Sequence, residues 1–213
     1  MRWSEISHVI RVDIPRKSIY RLSIYQRCLQ RLKENDVETV SSEALSKAAG
    51  VKSTQLRKDL GYFGPLGTRG LGYNVETLTK TISEVLGRTR LQPVILVGVG
   101  NLGSALLRYG GFRKEGFEVV SAFDIAPKSR TSAGGIPIRP MTQMVDYVRD
   151  NHVKMAILTV PANNAQGVVN DMVASGIQAI LNFSPIVLDV PENVVVNSVD
   201  LAVELENLSY FIR

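Results

Sequence analysis

Three glycines, Gly98, Gly100 and Gly103, stand as G-x-G-x-x-G within VILVGVGNLGSALL. The apolar run before them predicts a buried strand and LGSALLRY predicts a helix, the setting in which this spacing grips a dinucleotide. Gly98 permits the tight turn, Gly100 lets backbone N–H groups approach a pyrophosphate, and Gly103 lets the helix pack close. Val99, Asn101 and Leu102 complete the loop, whose free N–H groups and helix dipole favour phosphate charge. Asp124 ends the next predicted strand, FEVVSAFD, 21 residues after Gly103. A carboxylate there accepts hydrogen bonds from the adenosine ribose and repels a 2′-phosphate. NAD(H) is therefore expected over NADP(H), with Lys128 and Arg130 nearby pulling the other way. A ligand-free glycine turn with Asp124 capping a loop is the alternative reading of these residues.

A second set of residues has the chemistry to read DNA. Ser53, Thr54, Gln55, Arg57 and Lys58 fall on one short predicted helix, TQLRKDL, which Ser53 opens and Gly61 closes. Arg or Lys pairs with guanine O6 and N7, and Gln with adenine. Hydroxyls and a helix N-terminus suit phosphate. Arg69 lies in the glycine-rich YFGPLGTRGLGYNV, where it can follow the backbone or enter a minor groove. The same helix also reads as an exposed helix of mixed charge, because Asp59 partly offsets Arg57 and Lys58.

These residues need elements to hold them. Ile19, Leu22, Tyr25, Leu29 and Leu32 recur at steps of three and four, the face of an amphipathic helix. Ser41 and Ser42 precede EALSKAA and Gly50 follows it, a capped short helix. With the Ser53 helix it forms a helix-turn-helix. Gly64, Gly67, Gly70, Gly72 and Pro65 break the next stretch into two very short strands around a turn, the wing of a winged helix. Asn74 caps a further helix bearing Val75, Leu78, Ile82, Val85 and Leu86, read together with RTRLQ as the link between domains. From Pro93 strands alternate with helices: VILVGVG, FEVVSAFD, MAILTV, AILNF and VVVNS, interleaved with LGSALLRY, MTQMVDYVRD, a helix from about Asn163 to Ser175, and last LAVELENLSYF. That alternation predicts a doubly wound parallel sheet of the Rossmann kind.

The fold class is α/β: an N-terminal winged helix over residues 1–86 with an arm at its start, a Rossmann domain over 87–198, and a terminal helix over 199–213. Residues 1–73 hold 13 Lys and Arg against 7 Asp and Glu, while residues 74–213 hold 12 against 13. The positive excess sits in the first third and points to an anionic partner there. Cys28 is the only cysteine, so an intrachain disulfide and a thiolate metal site are excluded. It lies on an apolar-periodic helix and reads as a core thiol. His8 and His152 are far apart and show no ligand spacing. The start lacks a signal-peptide core, and no apolar run approaches the ~20 residues that span a bilayer. A reducing cytoplasm and no membrane partner are expected.

Taken together, these segments resemble the Rex family of bacterial redox-sensing repressors. SSEALSKAAGVKSTQLRKDLGYFGPLGTRGLGYNV, VILVGVGNLGSALL, AILTVP, GIQAILNFSP and VDLAVELENLSYF carry the resemblance, which runs from about Tyr20 to the C-terminus. It implies a homodimer on palindromic double-stranded DNA, released by NADH more than by NAD+. It implies a last helix exchanged between subunits near the partner's nicotinamide pocket, with Thr159 and Pro161 of AILTVP bordering the cofactor. It also implies that Arg27, Tyr109 and Asp200 couple the DNA domain, the cofactor pocket and the exchanged helix, with Tyr109 touching the cofactor pocket. Read without the resemblance, these three are a surface arginine, a core tyrosine and a helix N-cap. Leu201 departs from the aromatic residue that some members place after Asp200, which bears on NADH selectivity. An NAD-dependent dehydrogenase is the rival, although no acid–base constellation is recognisable and little chain remains for a substrate domain. A DNA-binding protein whose Rossmann domain only dimerises is the third reading.

Overall fold

The computed structural model describes residues 14–127, 129, 131–132 and 134–212. The N-terminal arm, His8, Lys128 and Arg130 lie outside the described residues. The chain divides into two compact units, one ending at Thr89 and the other beginning at Arg90.

The first unit is built on helix α1, Arg16–Glu34, which starts directly after Pro15. Its apolar stripe buries Leu22, Tyr25 and Leu29 completely. Strand β1 (Thr39–Val40) leads to helix α2 (Ser42–Ala48), where the Ser41 hydroxyl accepts from the Ala44 N–H at 3.1 Å. Gly50 then turns the chain with a left-handed φ of 67°, and helix α3 follows over Ser53–Gly61. Strand β2 (Tyr73–Asn74) precedes helix α4 (Val75–Val85), capped by Asn74 accepting from Thr77 N–H at 2.9 Å. Leu22, Tyr25, Leu29, Leu45, Leu56, Leu60, Leu78 and Ile82 close one core.

Two expectations change here. Helix α4 is no linker: Val75, Leu78 and Ile82 are each 1% exposed and complete the core of the first unit. The wing is smaller than a two-stranded hairpin. A single antiparallel bridge, Thr68 to Gly72, closes its turn, and the strand after it pairs with Thr39–Val40 instead. Gly72 sits at φ 90°, where an added Cβ would strike the Val40 carbonyl. The backbone therefore approaches β1 as closely as only glycine permits.

The second unit is a six-stranded sheet. Its strands are β3 (Gln92–Val97), β4 (Phe117–Asp124), β5 (Ile138–Pro140), β6 (Met155–Leu158), β7 (Ala179–Asn182) and β8 (Val195–Ser198). Every neighbouring pair is parallel, in the order β5-β4-β3-β6-β7-β8. Helices α5 (Asn101–Arg108), α6 (Gly111–Lys114), α7 (Met144–Asp150), α8 (Ala162–Ser175) and α9 (Leu201–Tyr210) accompany it. Alternate residues of β3 feed two cores. Ile95 and Val97 pack with Met144, Val169 and Met172, while Val94 and Leu96 pack with Leu107 and Ile157. A strand buried on both faces accounts for the unbroken apolar run. Strand β5 and helix α6 were not expected: β5 spans three residues of a stretch that reads as a Gly- and Pro-rich connection, and α6 is a single turn. The order reverses between β3 and β6, and doubly wound folds place their ligands at the carboxyl ends of the strands at such a switch point.

Candidate nucleotide and DNA sites

Each motif glycine has its own environment. Gly98 takes φ 96°, and an added Cβ would lie 2.8 Å from the Thr159 carbonyl. Gly103 is buried where helix α5 crosses the loop, and an added Cβ would run into the Gly98 carbonyl. Gly100 has open space at its Cβ position. It therefore keeps clear a path to the N–H groups opening α5 rather than meeting a steric demand of the protein. Val99, Asn101 and Leu102 complete the turn, with Asn101 and Leu102 exposed.

The Asp124 carboxylate is fixed by this loop and its own. Oδ2 accepts from Val99 N–H at 2.6 Å and Oδ1 from Ala126 N–H at 2.9 Å. Each oxygen keeps a lone pair to receive a ribose hydroxyl. Asp124 thus caps a loop and faces Gly100 together: both line a cleft of about 420 Å³ with Ser104, Ser129, Thr131 and Ser132. Those four hydroxyls escaped the sequence reading. Ser129, Thr131 and Ser132 cluster in SRTS, shortly after Asp124, while Ser104 stands in the first turn of α5.

Thr159 and Pro161 lie at the switch point. The Thr159 hydroxyl donates to the Gly98 carbonyl at 2.6 Å, and Pro161 precedes the first turn of α8. Ser184 braces the segment between them by donating to the Val160 carbonyl at 2.6 Å. Tyr109 stands apart from the Gly100–Asp124 cleft. It is 60% exposed, not a core residue, and rests edge-on against Phe112 at 5.1 Å. It lines a neighbouring cleft of about 600 Å³ with Phe112 and Phe117. Asp200 caps α9, accepting from the Ala202 and Val203 N–H groups at 2.9 and 3.2 Å. Arg27 lies on the exposed face of α1.

On helix α3, Thr54, Arg57 and Lys58 are exposed and Ser53 is half-buried. Arg57 and Arg69 border one cleft of about 560 Å³ between α3 and the wing turn. Asp59 does not behave as expected. It is fully buried, so it does not dilute the surface charge of Arg57 and Lys58. The Arg21 guanidinium donates to it twice, at 2.6 and 2.7 Å, and the Tyr25 hydroxyl donates at 2.8 Å. Burial pushes the Asp59 carboxyl up, but hydrogen bonds from Arg21, Tyr25, Gln55 and Ser18 outweigh it and hold it down at about 2. Burial and the Asp59 carboxylate together push the Tyr25 phenol up. Gln55 is tied to the same acid: its amide nitrogen donates to Asp59 at 2.9 Å, which commits one of its two N–H groups and fixes the amide. The clue was the placement of Asp59 between Leu56 and Leu60 on the apolar face.

Cys28 is half-buried against the first core, and burial pushes its thiol up, which disfavours the thiolate. Among the described residues no helix is long and apolar enough to cross a membrane.

Comparison with known proteins reports on both units. Residues 13–61 match the family model described as "Putative DNA-binding protein N-terminus", and residues 89–186 match "CoA binding domain". The chain is 44% identical over 199 residues to the redox-sensing transcriptional repressor Rex of Syntrophobacter fumaroxidans, covering 92% of this chain and 95% of that one. It is 46% identical over 198 residues to the Rex repressor of Streptomyces coelicolor, covering 92% and 77%. Among solved structures, RSP in complex with β-NAD+ and operator DNA superposes with a TM-score of 0.88 at 37% identity, covering 93% of this chain and 92% of that one. RSP in complex with β-NADH gives a TM-score of 0.83 at 36% identity, covering 93% and 94%.

Proposed function

The chain belongs to the Rex family of redox-sensing transcriptional repressors, and we propose that it holds palindromic operator DNA as a homodimer and releases it when NADH fills the Gly100–Asp124 cleft. The observation that carries this reading is the pairing, in one chain, of a ribose-ready carboxylate beside an open glycine turn with a helix whose buried acid leaves its cations facing outward. The solved RSP complexes hold β-NAD+ with operator DNA, and β-NADH. The dehydrogenase alternative gives way, since the relatives are named repressors over nearly the whole chain.

In this reading Gly98 to Gly103 hold the pyrophosphate, Asp124 the adenosine ribose, and Thr159 and Pro161 border the nicotinamide. Asp124 selects NAD(H) by repelling a 2′-phosphate. Ser53, Thr54, Gln55, Arg57, Lys58 and Arg69 meet DNA. The exposed last helix passes to the partner subunit, with Arg27, Tyr109 and Asp200 coupling the sites. Cytoplasmic residence follows from the DNA target. The dimer has two states: one spaces the recognition helices for adjacent major grooves, and the other closes on NADH and misaligns them. NADH shifts the balance only by binding the closed state more tightly. Its uncharged, nonplanar reduced ring suits an apolar pocket better than the cationic oxidised ring does.

Fluorescence anisotropy on a palindrome enriched from random duplexes by this protein tests the reading. NADH is expected to release the DNA at concentrations where NAD+ leaves it bound. Indifference to both nucleotides, or equal release by both, contradicts it.

A further inference from the structure

The buried acid on the recognition helix does more than hold the fold. Asp59 belongs to α3, and its oxygens take donors from three directions: Arg21 and Tyr25 on α1, and Gln55 one turn earlier on α3 itself. Arg21 is in turn steadied by Ser18, whose hydroxyl accepts at 3.1 Å from the same Nη2 that donates to Asp59. A two-pronged guanidinium–carboxylate contact fixes direction as well as distance, so α1 sets how α3 is turned about its axis.

The consequence for Gln55 is chemical. A carboxylate accepts only, so Gln55 must turn its amide nitrogen inward to Asp59. Its amide oxygen takes no protein donor among the described residues. An amide held this way has one N–H committed to Asp59 and cannot rotate to exchange its oxygen for its nitrogen. In the major groove the base donors are adenine N6–H and cytosine N4–H. An unfixed glutamine can rotate its amide and satisfy either acceptor or donor edges.

Resting on the DNA-binding reading above, we propose that Asp59, held by Arg21, is a specificity-determining positioning residue: it fixes the Gln55 amide so that its oxygen, which has no protein donor among the described residues, accepts from a base bearing a major-groove amino group. Asp59 itself touches no DNA. Arg57, Lys58 and Arg69 supply the attraction to phosphate that is common to all sequences.

The test compares wild type, Asp59→Asn, and the double variant Arg21→Met/Asp59→Leu on the enriched palindrome, on versions altered one base pair at a time, and on random duplex. Asp59→Asn leaves the Arg21 charge without its partner, and where that prevents folding the apolar double variant carries the test, since such replacements of ion pairs are well tolerated. Folding is checked by circular dichroism and melting. The expected result is a loss of roughly tenfold in discrimination at one base pair of each half-site, the scale of one mismatched pair. Discrimination elsewhere, affinity for random duplex and its salt dependence stay near wild type. A folded variant with the wild-type discrimination profile overturns the inference. So does an even loss at every position and on random duplex, which marks a structural role only. If wild type itself shows no sequence preference, the repressor reading fails along with it.

Discussion

Gly103→Ala is expected to destabilise the second unit and abolish its response to NADH while leaving operator binding intact. The added methyl meets the Gly98 carbonyl and comes within 2.9 Å of the Thr159 hydroxyl. Neither can retreat freely. Gly98 is held by its own N–H donating to the Phe123 carbonyl at 2.8 Å, and Thr159 is tied to Val97 and Gly98. Helix α5 must therefore lift from the sheet, an overpacking cost of about 1–3 kcal/mol. Its first N–H groups then point away from the pyrophosphate. Gly100→Ala is the informative contrast. Its methyl enters open space in the protein, so the melting temperature should hold. NADH affinity should still fall, because that space is where the nucleotide approaches. Calorimetric melting and NADH fluorescence titration on both variants separate the two effects. Equal NADH affinity in Gly100→Ala and wild type places the nucleotide elsewhere.

Charging the last helix is expected to have the other large effect. Leu201, Leu205 and Leu208 are 61%, 68% and 63% exposed, and Tyr210, Phe211 and Ile212 follow at 71% or more. No residue of α9 is buried. A helix with leucines exposed on it and no buried face calls for a partner surface, and the proposed homodimer would provide one. Leu205→Asp/Leu208→Asp should therefore yield a monomer by light scattering. Losing the second half-site removes the gain from linked binding, so operator affinity should drop about a hundredfold or more, while affinity for a single half-site stays. A wild type that is monomeric, or a doubly charged variant that stays dimeric, removes the helix from the interface.

Local signals carried most of the architecture into the sequence. Caps at Ser41 and Asn74, the glycine after each short helix, and the unbroken apolar run of β3 are all set by neighbours within a few residues. What was not legible depends on distant partners. Arg21 and Asp59 meet across 38 residues, and nothing near Asp59 except its place between two leucines says that its charge is neutralised inside. The same carboxylate fixes the Gln55 amide. Strand β1 is two residues long, too short for alternation to show, and it takes the pairing that the wing was expected to keep within itself. Helix α4 carries an apolar face whichever side it serves, so pattern alone did not separate a core helix from a linker. Tyr109 follows the helix rhythm but the chain turns at Gly110, and its ring settles outside on Phe112.

NADH and operator DNA are proposed to favour opposite states of one dimer, and linkage makes that measurable from either side. NADH affinity is best measured by its own fluorescence, at fixed salt, with and without saturating operator palindrome. The operator is expected to weaken NADH binding by the same factor by which NADH weakens operator binding. A scrambled duplex is expected to do less. An NADH affinity unchanged by operator contradicts the account, whatever the two sites bind separately.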